Sequence, residues 1–297
     1  MRVSTTLVTV PVSVMDRQGR LIPDLSQGQF HLYENGIEQE IAFFDNVEKP
    51  FTVALLLDTS DSTKFKLNEI QDAAIAFVEQ LRSEDRVIVA AFDRHVTILA
   101  EATSDRRALR DAIRRARTGD GTSLYNAIDV IVNQRLSRIR GRKALVLFTD
   151  GVDTSSLAAT YQGTLRAAEE LDALIYAIRY DTYDDATKDA TRGLARDQVA
   201  YSDLRTANGE RLNVAYARAD RYLRLMADKS GGSFFYADTP KHLTAVFTQI
   251  ARELREQYSV GYYPKNPGPE ADQRLIKVRV STPGVVVRAR KSYLYKP

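Results

Sequence analysis

Residues 53–62 read VALLLDTSDS, and this stretch decides the fold of the central part of the chain. Its five apolar residues lead directly into a segment rich in carboxylate and hydroxyl groups. An apolar run without a polar face is typical of a strand buried on both sides, as in a parallel sheet covered by helices. The pattern predicts an α/β fold with a doubly wound, mostly parallel sheet. Further apolar runs, separated by stretches of helical spacing, follow at 87–92, 144–148, 174–178 and 233–236.

The two ends of the chain show the alternation of β-strands instead. Apolar residues alternate with others from Val8 to Val14 and again between Tyr258 and Ala289, and Asn35-Gly36 is a strong hairpin signal. Because two or three strands alone bury little apolar surface, we expect both ends to pair into one small antiparallel β-sandwich. The predicted division is therefore N-terminal sandwich strands at 1–48, the α/β domain at 49–256 with a polar insertion at 182–219, and the completing strands at 257–297.

Composition excludes several classes of protein. Without cysteine, the chain has no disulfides, thiolate zinc sites, iron–sulfur clusters or thiol catalysis. The 42 Lys and Arg against 39 Asp and Glu give a net charge of +3, too small to indicate a nucleic-acid or membrane surface by itself.

The apolar runs are shorter than the ~18 residues of a transmembrane span. The alternation that follows Arg2 indicates a strand and not a signal peptide. The sequence defines no oligomeric state.

Three loops carry closely spaced oxygen atoms. DTSDS at 58–62 follows the first buried strand, GDGTS at 119–123 precedes a helical pattern, and TDG at 149–151 ends the strand predicted at 144–148. Ligands of doubly wound sheets bind beyond the carboxyl ends of the strands. We therefore expect the three loops to meet at that edge of the sheet.

Together these loops resemble the metal-ion-dependent adhesion site (MIDAS) of von Willebrand factor A (VWA) domains. A lone DxSxS motif is a weak signal, whereas DxSxS, a threonine before a helix and Asp-Gly after a strand, in this order, are specific. The resemblance implies a VWA/Rossmann-like fold and a metal site formed by Asp58, Ser60, Ser62, Thr122 and Asp150. It covers nearly the whole chain, because less specific flanking segments resemble a bacterial group of VWA-related proteins: Asp24-Leu25 with Phe30, ENG at 34–36, LREQY at 254–258 and GY at 261–262.

The residue types suit a hard divalent cation. Mg²⁺ is the expected ion, and Mn²⁺ and Ca²⁺ accept the same oxygen ligands. Two carboxylates only balance the charge of the ion, which leaves it able to accept a carboxylate from outside. The predicted function is a non-catalytic, metal-dependent, adhesion-type binding module whose protein partner presents Asp or Glu. Taken singly, the same residues are more typical of helix caps and turns, so the prediction depends on their combination.

Three further acidic residues lie close to these motifs in sequence. Asp61, Asp120 and Asp153 are predicted to be solvated loop residues, and the alternative roles are hydrogen bonding to the metal ligands, binding of a second ion, and partner binding beside the metal. The resemblance also implies an extracytoplasmic location, in the periplasm, at the cell surface or secreted, because bacterial relatives are usually exported.

Two other functions are considered. Asp58 after a buried strand is similar to the nucleophile of magnesium-dependent phosphotransfer and hydrolase enzymes of the haloacid dehalogenase type, but Ser60 replaces their second acid. The Arg-rich helix predicted at 105–117 presents one basic face that could bind nucleic acid or an acidic partner. Acidic residues intersperse it and no aromatic residues alternate with it for base stacking, so a solvated helix face is the simpler interpretation. That face comprises Arg106, Arg110, Arg114 and Arg117.

Overall fold

The structure is a computed structural model that describes residues 7–45, 49–180, 182–191, 204–266 and 268–295. The side chains of residues 64, 65, 185, 189 and 190 are outside this description. Parts of the predicted segments therefore lie outside the described residues, namely 1–6, 46–48, 181, 192–203 of the insertion, 267 and 296–297.

The described residues form fourteen strands and seven α-helices. The strands are β1 Val8–Met15, β2 Phe30–Glu34, β3 Ile37–Gln39, β4 Ile41–Asp45, β5 Thr52–Asp58, β6 Arg86–Phe92, β7 Val96–Thr103, β8 Lys143–Thr149, β9 Leu174–Tyr180, β10 Ser233–Ala237, β11 Tyr258–Tyr262, β12 Gln273–Val280, β13 Val286–Ala289 and β14 Ser292–Leu294. The helices are α1 Leu67–Gln80, α2 Arg106–Arg114, α3 Leu124–Asp129, α4 Tyr161–Glu170, α5 Tyr183–Ala190, α6 Leu212–Ser230 and α7 Pro240–Arg255.

The predicted doubly wound sheet is confirmed. Its six strands lie in the order β10-β9-β8-β5-β6-β7, and every neighbouring pair is parallel except β6 with β7. Alternate residues of β5 point to opposite faces: Leu55 packs below α1, α2 and α7, whereas Leu56 packs below α3, α4 and α6. Burial on both faces is the reason for the unbroken apolar run.

The two edge strands of this sheet, β7 and β10, are less buried than the central strands. None of the predicted strands covers β7, although Val96, Ile98 and Ala100 alternate with other residues as in a half-buried strand. At the opposite edge, the predicted apolar run at 233–236 forms β10, which pairs with β9 but is only partly buried, and Tyr236 is 45% exposed. An edge strand has a neighbour on one side only, so its apolar residues do not require full burial.

Both chain ends form the predicted sandwich. One antiparallel sheet has the order β13-β1-β11-β4 and the other β14-β12-β2-β3, so each combines strands from both ends. Asn35 and Gly36 have φ angles of 48° and 83°, as a two-residue hairpin turn of type I′ requires. In contrast, the turn at Pro283-Gly284 closes no hairpin, because β12 pairs with β2 and β14 while β13 pairs with β1 in the other sheet.

The predicted insertion contains helical structure. It includes α5, and its predicted end at residue 219 falls inside α6, which begins at Leu212. Leu212, Ala215 and Tyr216 continue the apolar spacing that the sequence shows around Tyr222. The end of the predicted insertion and the stretch that follows it therefore share one buried face of the same helix. Within the described ranges, no helix combines the length and the apolar character needed to cross a membrane.

Candidate metal centre

The central sheet brings the oxygen-rich loops together. Asp58 is the last residue of β5, and Asp150 directly follows β8, the parallel neighbour of β5. Because the two strands run in the same direction, both carboxylates lie at the same sheet edge. Gly151 after Asp150 has a φ of +84°, and a Cβ at this position would lie 2.9 Å from Leu223 Cδ1 of α6. The glycine that follows Asp150 therefore permits both the turn and the close approach of α6.

Asp58 forms the floor of the site. Its side chain is fully buried, and Oδ1 accepts a hydrogen bond from the Ser60 backbone N–H at 2.9 Å. Oδ2 accepts from the Thr149 hydroxyl at 2.5 Å. Thr149 Oγ1 in turn accepts from the Gly151 N–H at 2.9 Å, so the end of β8 holds the Asp58 carboxylate in place.

The two serines connect the loop after β5 to Asp150. Ser62 Oγ donates to Asp150 Oδ2 at 2.9 Å, and the Ser60 and Ser62 hydroxyl oxygens lie 3.0 Å apart. A hydroxyl has a single proton, so Ser60 is the donor in the pair with Ser62. The other Asp150 oxygen, Oδ1, accepts from the Val152 backbone N–H at 2.9 Å.

Thr122 reaches the site from a third loop. Its backbone N–H donates to Thr154 Oγ1, and its carbonyl oxygen accepts from the Thr154 N–H, both at 2.9 Å. On the other side of the same loop, the Gly119 N–H donates to the Thr59 carbonyl oxygen at 2.9 Å. The loop at 119–123 is thus bonded to both of the other loops.

A cavity of about 220 Å³ opens above these side chains. Four of the five predicted ligands line it, namely Ser60, Ser62, Thr122 and Asp150, with Asp58 buried beneath Ser60. The opposite wall comes from the insertion and the start of α6, and includes Ala186, Arg205, Leu212 and Tyr216. The structure therefore brings together all five residues that the resemblance assigns to a metal.

The Asp58 and Asp150 carboxylates repel each other at this site. Burial, together with the nearby Asp150 carboxylate, raises the pKa of Asp58 to about 7. The hydrogen-bond donors to the Asp58 and Asp150 side chains are neutral hydroxyl and amide groups. A cation placed between the carboxylates would offset their repulsion.

This donor set fits a divalent ion. Two carboxylates and three hydroxyl groups are hard oxygen ligands of the kind that Mg²⁺, Mn²⁺ and Ca²⁺ accept. In the described part of the chain, no group of three or more His, Asp or Glu side chains is arranged to hold a metal. A metal at this centre would therefore depend on the hydroxyl groups and on water in addition to the two carboxylates.

The three neighbouring acidic residues have different environments. Asp61 is exposed and lines the cavity, and Asp120 is exposed on the loop at 119–123. The predicted solvation is wrong for Asp153, which is buried, and its carboxylate accepts hydrogen bonds from the Tyr125 N–H at 3.2 Å and the Ser156 hydroxyl at 2.5 Å. Asp153 thus stabilises the first turn of α3.

Sequence reasoning missed three residues that hold the carboxylates. Thr149 bonds to Asp58, Thr182 donates to Asp150 Oδ2 at 2.6 Å, and Tyr216 lies 2.7 Å from the Thr182 hydroxyl. Thr182 follows β9, the next strand along the same edge, so the rule that located Asp58 and Asp150 also applies to it. Tyr216 has no comparable signal, because the packing of α6 alone brings it to the site.

The basic face of α2 is largely engaged within the chain. Arg110 lies 3.3 Å from a Glu79 carboxylate oxygen and Arg114 lies 2.6 Å from one of Asp72, both on α1. Arg106 donates to backbone carbonyl groups of Arg82 and Asp85. The ion pairs of Arg110 and Arg114 are about half exposed, so this face of α2 is bonded within the chain and also open to solvent, as a solvated helix face would be.

The chain is similar to known proteins in family and in fold. Residues 53–152 match the family model described as von Willebrand factor type A domain. No curated protein matches the chain. Among solved structures, a von Willebrand factor type A protein from Catenulispora acidiphila aligns with a TM-score of 0.53 and 10% identity, over 99% of this chain and 74% of that one. At this identity the likeness shows the fold alone.

Two other solved structures align with part of the chain. The vWF domain of the type V pili tip protein Mfa5 from Porphyromonas gingivalis has a TM-score of 0.49 and 14% identity, over 68% of this chain and 94% of that one. Proximal thread matrix protein 1 from the mussel byssus, solved with a zinc-occupied MIDAS motif, has a TM-score of 0.49 and 13% identity, over 73% of this chain and 48% of that one.

Proposed function

Because the chain carries a von Willebrand factor type A domain over residues 53–152, we propose that it is a metal-dependent protein-binding module of the adhesion type. The observation that carries the proposal is the cavity in which Ser60, Ser62, Thr122 and Asp150 meet above the buried Asp58. The proposed native ion is Mg²⁺. When bound, a divalent cation supplies an electrophilic position that a carboxylate can fill.

The chain's own residues suit this task. Asp58 and Asp150 hold the charge of the site, while Ser60, Ser62 and Thr122 add neutral oxygens, so the protein only balances a divalent cation and leaves it able to accept one further carboxylate. Arg205 on the cavity wall adds a positive charge near the entrance. An Asp or Glu side chain of a protein partner is the ligand that fits this combination, and the exposed residues Asp61 and Asp120 are proposed to contact the partner beside the metal.

The environment of Asp58 supports a binding role over an enzymatic one. A carboxylate that attacks phosphate needs an oxygen that is accessible to its substrate. The Asp58 side chain is fully buried, and both of its oxygens accept hydrogen bonds, from the Ser60 N–H and Thr149 Oγ1. We therefore propose a non-catalytic function, and, from the family resemblance, an extracytoplasmic location.

Calorimetric titration of metal-stripped protein with Mg²⁺ and Mn²⁺ tests the metal site. We expect saturable one-site binding to the wild type and binding at least about tenfold weaker in Ser60→Ala and Thr122→Ala, because each loses an oxygen ligand. Thr52→Ala is the matched control. Thr52 is as buried as Thr122, at 6% exposure, but it is the first residue of β5, at the end of the strand away from Asp58. Equal affinity in all four proteins would contradict the proposal.

A peptide probe tests the partner. A short peptide with one Glu should bind the Mg²⁺-loaded protein and be released by a chelator, and the same peptide with Gln should not bind. Peptide binding in the presence of a chelator, or equal binding of both peptides, would show that partner recognition does not depend on the metal.

A further inference from the structure

The insertion contributes a buried hydroxyl group to the metal centre. Thr182 is fully buried, and its Oγ1 donates a hydrogen bond to Asp150 Oδ2 at 2.6 Å. The same Asp150 oxygen accepts from Ser62 at 2.9 Å. Asp150 Oδ2 is therefore held between the DxSxS loop on one side and the insertion on the other.

The direction of the next hydrogen bond follows from proton counting. Thr182 Oγ1 lies 2.7 Å from the Tyr216 hydroxyl oxygen, and either oxygen could in principle be the donor. Thr182 has one proton and gives it to Asp150, so Tyr216 must donate to Thr182. The two hydroxyl groups thus form a directed chain that ends on Asp150.

Tyr216 connects this chain to the core of the insertion. It is 5% exposed, and it packs with Val152, Leu212, Ala215 and Ala219 in a separate apolar cluster. The Tyr183 ring of α5 meets the Tyr216 ring edge-on, with 5.2 Å between the ring centroids. The position of the Tyr216 hydroxyl is therefore fixed by the packing of α5 against α6.

We propose that Thr182 and Tyr216 are positioning residues of the metal centre, which hold the Asp150 carboxylate towards Ser62 and the cavity. This inference rests on the proposed metal-dependent function. A rigidly held carboxylate needs no reorientation when a cation binds, so loss of either hydroxyl weakens binding without removing a ligand. Because Tyr216 belongs to the insertion core, binding of the cation also stabilises the segment at 204–219.

The same helix provides a matched control pair. Thr164 Oγ1 of α4 and the Tyr222 hydroxyl of α6 also lie 2.7 Å apart and are buried. The hydrogen bonds recorded for the Thr164 hydroxyl go to Tyr222 and to the backbone of α4, and none goes to Asp150. Removing a hydroxyl from this pair perturbs α6 in the same way but leaves the Asp150 carboxylate as it is.

Titration with Mg²⁺ and Mn²⁺ alone, and hydrogen exchange with and without Mg²⁺, test the inference. We expect Thr182→Val to weaken metal binding about tenfold, Tyr216→Phe to weaken it less, and Thr182→Ser to restore it, since serine keeps the hydroxyl. Thr164→Val and Tyr222→Phe should keep the wild-type affinity. Metal should slow exchange of 204–219 in the wild type and in both controls, but not in Thr182→Val.

Two results would overturn the inference while leaving the metal site intact. One is unchanged metal affinity in Thr182→Val and Tyr216→Phe, and the other is an equal loss in Thr164→Val, which would mean that any disturbance of α6 weakens binding. A wild type that binds neither ion, with its fold verified, would instead refute the proposed function, and this inference with it.

Discussion

Asp58 shows at the scale of one residue how a binding site works against the stability of the fold. Full burial and the nearby Asp150 raise its pKa to about 7, far above the 3.8 of an ordinary aspartic acid. At neutral pH the metal-free protein therefore holds a carboxylate that is only partly ionised. A cation requires the ionised form, so metal binding releases protons from this group.

The raised pKa of Asp58 predicts a specific pH dependence. Between about pH 4 and pH 7 the folded state keeps a proton that the unfolded state has released, so the contribution of Asp58 to the free energy of unfolding falls as the pH rises. The expected loss is on the order of a few kcal/mol. Urea unfolding of chelated protein at pH 5 and pH 8 measures it.

Asp58→Asn provides the control for this measurement, because the amide does not titrate. We expect its stability to change less between pH 5 and pH 8, and we expect saturating Mg²⁺ at pH 8 to stabilise the wild type but not the variant. The same pH profile in both chelated proteins would show that another group is responsible.

At the scale of elements, the sandwich is organised around a buried ion pair. Glu34 at the end of β2 lies 2.7 Å from Arg274 of β12, with both side chains 4% exposed or less. The Tyr262 and Tyr293 hydroxyls each donate to Glu34 Oε2 at 2.6 Å. One carboxylate thus joins strands from both ends of the chain, which gives a physical reason for the glutamate before the Asn35-Gly36 turn.

We predict that Glu34→Gln lowers the free energy of unfolding by roughly 3–5 kcal/mol, because it leaves the Arg274 charge buried without its partner. Glu38→Gln should have an effect within about 0.5 kcal/mol, since the pair of Glu38 with His31 is about half exposed. Denaturant unfolding compares the two variants. Similar losses in both would mean that burial of the ion pair does not determine its importance.

At the scale of the whole molecule, two buried carboxylates connect the sandwich to the α/β domain. Glu253 of α7 accepts hydrogen bonds from Ser13 and Tyr176, both at 2.9 Å, and from Arg288 of β13. Glu169 of α4 accepts from Gln273 of β12 at 2.5 Å and from Ser292 of β14. Each sandwich sheet is therefore bonded to a helix of the central domain.

Glu253→Gln should weaken this connection. We expect a lower melting temperature and a broadened or split calorimetric transition, because the sandwich then unfolds less cooperatively with the α/β domain. Asp228→Asn is the control, since Asp228 pairs with Lys291 across the same junction but is 55% exposed. A single, equally sharp transition in both variants would contradict this role of Glu253.

Local patterns in the sequence predicted the sheet, the sandwich and the convergence of the three loops. The apolar run at 53–57 and the alternation at both ends reflect burial of a strand on two faces or on one, and this requirement acts on neighbouring residues in the chain. The place of Asp58, Asp150 and Thr122 at one sheet edge follows from the parallel direction of the strands.

Only the tertiary structure decided what surrounds those loops. Tyr216 follows Thr182 by 34 residues, and only the packing of α6 against the sheet brings its hydroxyl to the Thr182 hydroxyl that bonds to Asp150. The crossing between sheets at Pro283-Gly284 and the ion pair of Glu34 with Arg274 likewise depend on which strands become neighbours. Such pairings arise from contacts between distant residues, and no local pattern in the sequence records them.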